Sequence, residues 1–506
     1  MIFSSNAFIF AFLPIALIGY YLIARLGLMA ANGWLVAASL IFYSFWEPWF
    51  VIILLGSITW NFSIGAWIYR LDESRDRQRL TVLWLGIIGN LLILSYYKYL
   101  FPLLGFLASH HLAPDGWVSS IALPLGISFF TFTQIGYLLD SYDGRAKERG
   151  LLSYMVFVTF FPHLIAGPIL HNREILPQLS DPRTKVLQSE NISVGLAMFI
   201  MGLGKKVLLA DPLGFVADRG FAQVHDLSTI EAWVAALAYS LQLYFDFSGY
   251  SDMAIGLARM FGIIFPVNFN SPYKARSIID FWSRWHMTLT RYLTLYLYNP
   301  VAMRVNRRRV ARGLSTSRKG TRNVPAFLSL IAVPTFYTMI LAGVWHGAGL
   351  QFLIFGLLHA VYLSINHAWR VFGPEGLKPI WWRSLCFLLL TYGAVLSGQI
   401  FFRAVSAQDA TTLLGAMFGH GAAGAGDVVG MGTLVRIVLG FAICLALPNS
   451  QQILRHYRPI LEKVTPIDGI SLSWRPNLMW GLFLGGVALA ALLRMSDVST
   501  FLYFQF

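Results

Sequence analysis

Long uncharged apolar runs dominate this chain and leave it few folds. They lie near residues 6–25, 51–69, 82–100, 192–210, 230–245, 326–345, 349–369, 384–402, 431–447 and 476–493. Crossing a hydrocarbon core takes roughly 17–25 mostly apolar residues, so each run reads as a membrane-spanning helix. Shorter stretches, or stretches broken by Gly and Pro, lie near 34–48, 101–108, 117–139 and 151–170. These are expected to be re-entrant or embedded in protein, because irregular backbone is tolerated at depth only where it is buried or lines a cavity. The expected total is about 11 crossings, within two either way. The fold class is therefore all-α, a polytopic membrane protein read as one domain over residues 1–506.

Composition agrees. Only 12% of the 506 residues are charged, where a soluble protein carries about 25%, and the mean hydropathy is +0.61. A net charge of +14 raises nucleic acid as a partner. The basic residues cluster instead in short loops between apolar runs, which the positive-inside rule explains, so no nucleic-acid partner is expected. Arg304, Arg307, Arg308, Arg309, Arg312, Arg318, Lys319 and Arg322 form the strongest block, with no acid among them. That block, with loops 70–81, 143–149, 370–383 and 453–475, is assigned to the cytoplasmic side. The 404–430 connection has no Lys or Arg and is assigned to the outer side. The first run has no basic residue before it and Arg25 after it, which reads as a first transmembrane helix and not a cleaved signal. Cys386 and Cys444 both sit in apolar runs and are expected to be small core residues.

Ionisable groups inside apolar runs are costly and are functional candidates by default. The stretch Asp280–Pro300, DFWSRWHMTLTRYLTLYLYNP, reads as one helix with two faces. Phe281, Trp282, Trp285, Leu289, Tyr292, Leu293 and Tyr296 form the apolar side. Arg284, Thr288, Thr290, Arg291 and Thr294 form the polar side, with His286 at the rim. Such a helix should lie in the interface or line a wet cavity. A second histidine, His346, follows a run that starts just after the basic block, so it is expected toward the outer side. Gly343, Gly347 and Gly349 leave its backbone open to close approach. A neutral imidazole there can take a hydroxyl proton. Asp246 and Asp252, near Tyr250, are expected to be partners of nearby cations or backbone, with orientation of a histidine as the lesser reading. His163, His171, His359 and His367 read as packing residues. No HExxH, P-loop or GxSxG motif is present, and His110–His111 with Asp115 make no metal site, so no metal is expected.

Read in order, FSSNAFIFAFLP, LPLGISFFTF, FFPHLIAGPI, GLGKKVLLAD, YFDFSGYSDMAIGLARMFG, FPVNFNSPYKARSIIDFWSRWH, GVWHGA and the terminal FLYFQF resemble the membrane-bound O-acyltransferases. The nearest branch is the bacterial one typified by the alginate O-acetyltransferase membrane subunit and the teichoic-acid D-alanyl transfer protein. The resemblance implies a ring of helices around a thinned centre crossed by a tunnel. It makes His346 the catalytic residue and His286 its second polar member. Trp285, Arg284, Trp345, Asp252, Tyr250 and Asn270 complete the expected substrate or tunnel lining. Where many relatives read YLYIPLGGNR, this chain reads YLYNPVAMR at 296–304, so donor identity is less tightly implied than reaction class, and Arg304 or Arg307 stands in for the family's arginine.

The function so implied is acyl transfer, with acetyl as the expected group. The donor is a cytoplasmic co-substrate, expected to be acetyl-CoA, and no tightly bound cofactor is expected. The acceptor is a hydroxyl of a cell-surface polysaccharide, or of a periplasmic SGNH-hydrolase-like partner that passes the group on. The chain is expected in the bacterial inner membrane, among lipid and polysaccharide machinery. Two rivals come from other classes. One is a transporter or flippase for a lipid-linked sugar, which inverted repeats would favour; none is visible. The other is an idle scaffold of a polysaccharide-modifying complex.

Overall fold

The computed structural model describes residues 1–112, 122–146, 150–316, 322–374, 380–422, 429–466, 469–495 and 501–502. Asp115, Arg318, Lys319 and the terminal YFQF lie outside the described residues, as does the start of the 117–139 stretch. Among the described residues every regular element is helical. Seven helices there are long and apolar enough to cross a membrane: Phe8–Leu26, Pro48–Arg70, Glu73–Ser109, Ser189–Ala222, Val324–His346, Leu350–Phe372 and Trp381–Arg403. Leu28–Ser44, Met431–Ala446 and Leu478–Leu493 are apolar but shorter.

Two spans run longer than the apolar runs that announce them. Glu73–Ser109 continues through Pro102 for 37 residues, and Ser189–Ala222 continues through Lys205, Lys206 and Pro212 for 34. Proline lacks the N–H that would bond four residues back, and its ring crowds the carbonyl there. The chain accommodates it with a π-turn, a local widening of the helix. Five such turns, Phe8–Phe12, Tyr96–Leu100, Lys205–Ala210, Thr294–Tyr298 and Leu328–Ala332, each end two residues before a proline.

The 230–245 run belongs to a 32-residue helix, Thr229–Met260, opened by a capping box between Ser228 and Glu231. From Tyr239 to Met260 every residue of it is buried. It packs antiparallel on Ser189–Gly204 through two glycine pairs. A Cβ on Gly195 would lie 2.6 Å from the Gly256 carbonyl, and one on Gly249 would lie 2.7 Å from the Gly202 carbonyl. Only residues without side chains let the two backbones approach this closely. Its carboxylates are matched by the neighbouring π-turn: Lys206 meets Asp246 at 2.6 Å and Asp211 at 2.7 Å, and Lys205 meets Asp252 at 2.6 Å. Tyr250, on the same helix, is stacked between Phe3 (4.8 Å) and Phe501 (4.5 Å), so the two ends of the chain meet there.

Three sequence expectations change. Asp280–Pro300 is not one helix. It breaks into Ile278–Trp282 and Met287–Leu293, and His286 adopts left-handed backbone at φ 42° between them. The residues at the break find partners in the extended segment beside them, since Met287 N–H donates to the Asn268 carbonyl and Asn270 N–H to the Arg284 carbonyl, both at 2.9 Å. Arg304–Ala311 belongs to a helix, Asn299–Ala311, and not to a loop. Cys444 is buried as expected, but Cys386 is exposed.

The glycine pairs yield a test. Gly202→Leu forces a side chain into the Gly249 backbone, and overpacking of this kind costs at least about 1–3 kcal/mol. The variant is expected to melt several degrees lower, or to fail to accumulate, by fluorescence-detected size exclusion of detergent extracts. An unchanged melting temperature contradicts the packing.

Candidate active site

His346 is the last residue of the helix Val333–His346. A helix end leaves carbonyls without intrahelical donors, and here two side chains of the Tyr96–Leu100 π-turn supply them. Tyr99 Oη donates to the Val344 carbonyl at 2.7 Å, and Lys98 Nζ donates to the Trp345 carbonyl. The following helix, Leu350–Phe372, packs against this one where Gly356 meets the Met339 carbonyl. The His346 ring is boxed edge-on by Phe402 at 4.8 Å and Phe355 at 5.8 Å. It lies between two cavities and lines both. One has about 450 Å³ of atom-free space, the other about 470 Å³.

His286 faces His346 across the first of these. The left-handed turn swings its side chain inward and buries it, 1% exposed, where a continuous helix would have left it at the rim. Its Nδ1 lies 3.0 Å from Asn268 Oδ1, which also accepts from Thr288 Oγ1 at 2.9 Å, while Asn268 Nδ2 donates to Ser251 Oγ at 3.0 Å. With the amide so oriented, an oxygen can only accept. Nδ1 therefore carries the proton, and Nε2 is left as the acceptor nitrogen of the ring. The Thr288 hydroxyl in turn receives the Ile169 N–H at 3.0 Å, tying the broken segment to the irregular stretch after Phe161–Leu164.

A third histidine joins them. His359, read from sequence as a packing residue, lines the same cavity as His286 and His346. Trp282 Nε1 donates to its Nδ1 at 3.2 Å, which leaves the proton on Nε2. Gln399 lines the cavity too; its Nε2 donates to Tyr273 Oη at 3.2 Å, and its buried Oε1 has no partner among the described residues. Despite three histidines around one space, no group of three His, Cys, Asp or Glu among the described residues is placed to hold a metal ion. Trp282 forms a wall shared with a further, more open cavity lined by Arg173, Ser283, Thr290, Arg291, Asn299 and Glu462.

The expected lining residues divide. Trp285 lines the first cavity and Trp345 the second. Arg284, Asp252, Tyr250 and Asn270 line neither and belong to the surrounding frame. Arg284 pairs with Asp280 at 2.7 Å. Asp252 takes Lys205 and the Ser450 hydroxyl, the latter at 2.5 Å. Tyr250 is held between Phe3 and Phe501. Asn270 Oδ1 accepts from Asn449 at 2.9 Å. The asparagine that orients His286 is Asn268, two residues earlier. Nothing in FPVNFN separates the two, because residues two apart fall on the same side of an extended segment.

Residues 137–316 match the model of the membrane-bound O-acyltransferase family, a span that includes His286. A peptidoglycan O-acetyltransferase from Helicobacter pylori is 38% identical over 457 residues, covering 83% of this chain and 80% of that protein. A probable alginate O-acetylase, AlgI, from Pseudomonas putida is 37% identical over 525 residues, covering all of both chains. A teichoic acid D-alanyltransferase from Bacillus subtilis is 27% identical over 63% of this chain and 76% of its own length. With similarity along its whole length, two motif histidines facing one cavity and a shell of apolar helices, this chain belongs to the membrane-bound O-acyltransferase family and is a multi-pass membrane enzyme of that kind.

Proposed function

We propose that the chain moves an acetyl group from acetyl-CoA, presented on the cytoplasmic side of the bacterial inner membrane, to a hydroxyl of a cell-surface polysaccharide. Transfer is either direct or by way of a periplasmic SGNH-hydrolase-like partner. The observation that carries this reading is the position of His346, buried at the meeting of two cavities. Acetyl is favoured over D-alanyl because the relatives that match most of this chain are named as O-acetyl-transferring, whereas the D-alanyltransferase is more distant. The basic helix Asn299–Ala311 begins at the third cavity, which contains Asn299. Arg173 of that cavity and the exposed Arg304, Arg307 and Arg308 suit the phosphates of the donor. The thioester then reaches past Trp282 toward the three histidines.

In the reaction, the acceptor oxygen attacks the acyl carbonyl carbon while His346 takes the hydroxyl proton. The tetrahedral intermediate collapses with loss of the thiolate, which recovers that proton from His346. His286, fixed by Asn268 with Nε2 as its acceptor nitrogen, and Trp285 position the acyl group. Phe355 and Phe402 keep the centre dry, which protects the thioester from water.

Three outcomes test this. His346→Ala is expected to abolish acetylation of the surface polymer, measured by mass analysis in a clean replacement strain, with the protein still inserted at normal levels. Retained acetylation sinks the assignment. A general base contributes about 100–10,000-fold, so a residual rate in that range below wild type is the expected purified-enzyme result. His286→Gln should lose most turnover, and Asn268→Ala should lose at least about 10-fold by freeing the His286 ring. Wild-type rates in Asn268→Ala remove the orienting role.

A further inference from the structure

The second cavity beside His346 contains a charge that the reaction above does not use. Lys98 lies inside the span Glu73–Ser109 and is only 9% exposed. Its Nζ donates to the Trp345 carbonyl and sits 5.5 Å from the Trp345 ring centroid. Capping the helix before His346 explains why some donor stands there. It does not explain a lysine, since the adjacent Tyr99 caps the preceding carbonyl with a neutral hydroxyl. Lys205 and Lys206 each face aspartate within 2.7 Å, whereas Lys98 makes no ion pair among the described residues. A cation buried at membrane depth without a counter-charge is expensive, so a ligand that brings negative charge is the natural complement.

The rest of the cavity has the same character. Lys98, Ser128, Trp345 and His346 are its polar lining, and no carboxylate is among the lining residues. Ser128 Oγ and Trp345 Nε1 are buried and have no hydrogen-bond partner among the described residues. Three donor-bearing residues thus line the second cavity next to the base, and the lysine has two N–H groups beyond the one given to Trp345.

We propose that Lys98 is a catalytic residue: with the acyl carbon at His346, where the two cavities meet, the acyl oxygen points into the second cavity and accepts from Lys98 as it becomes an oxyanion. The inference rests on the acyl-transfer reading. As the acceptor oxygen bonds to the carbonyl carbon, the carbonyl π pair moves onto oxygen and the hydroxyl proton passes to His346. Lys98 Nζ–H then faces a full negative charge. When the pair returns, the carbon–sulfur bond breaks, the thiolate takes the proton from His346, and Lys98 reverts to its Trp345 contact. A donor aimed at charge that exists only in the transition state raises turnover without tightening ground-state binding.

The test uses the full chain in proteoliposomes, with acetyl-CoA as donor probe and short chito- and mannuronate oligosaccharides as acceptor probes. Loss of one oxyanion donor lowers kcat about 100–1,000-fold, so Lys98→Met is expected to fall in that range with acceptor KM little changed. Lys98→Arg should recover part of the loss, and Tyr99→Phe, which removes the neutral cap on Val344 but leaves the cation, should lose far less than Lys98→Met. Lys98→Gln keeps a donor for the Trp345 carbonyl and serves if Lys98→Met does not accumulate; it should lose kcat as well. Retained kcat with raised KM in the lysine variants overturns the proposal, as does an equal kcat loss in Tyr99→Phe. Failure of the wild type to transfer acetyl in the same vesicles counts instead against the donor and acceptor proposed above.

Discussion

Two consecutive lysines hold this structure together at its centre. The buried Asp246 and Asp252 of the helix Thr229–Met260 are tolerable only because Lys206 and Lys205 reach them from a π-turn in the neighbouring span. A regular helix turns 100° per residue; here both neighbours in sequence reach the same partner helix. The glycine pairs bring the two backbones close enough for these short ion pairs to form. Other parts lean on the same helix. The Leu502 N–H donates to Asp246 Oδ2 at 3.0 Å, Ser450 bonds Asp252, and Ser251 anchors the asparagine behind His286. Removing one partner of such a buried pair leaves an uncompensated charge, a far larger penalty than the pair's net contribution.

The site itself is made where helices stop. His286 stands at a break with left-handed backbone, and His346 at a helix terminus capped from another span. Each arrangement leaves backbone groups that must be satisfied within the protein, and each finds them: the Asn268–Asn270 segment serves the first, Lys98 and Tyr99 the second. Irregular backbone at this depth is possible only with such provision. At the first it also fixes the side chain, since the His286 ring cannot turn without breaking its bond to Asn268.

Much of this was legible in the sequence, and the physical reason differs from part to part. Apolar runs mark spans because the hydrocarbon thickness sets a length that composition alone reveals. His286 and His346 stood out because ionisable groups in such surroundings are rare. The break at His286 was not legible, because FWSRWHMTL fits a helical period and nothing in it forbids a helix; tertiary bonds to Asn268 decide the matter. His359 carries no such signal, because a histidine on an apolar helix packs more often than it reacts. Lys98 is hidden for a different reason: it stands near the end of the apolar run 82–100, which reads simply as a span, and nothing in the sequence places it beside His346.

The π-turns carry a further consequence. Each holds the extra residue that lets a span pass its proline without stopping, so each also sets the rotational phase of everything after it. Deleting one residue there would turn the rest of the helix by about 100°. In the Tyr96–Leu100 turn this would carry Lys98 and Tyr99 off the end of the His346 helix while leaving hydropathy and span length almost untouched. Loops between spans can gain or lose residues with little effect, but in these turns the count of residues is itself part of the site.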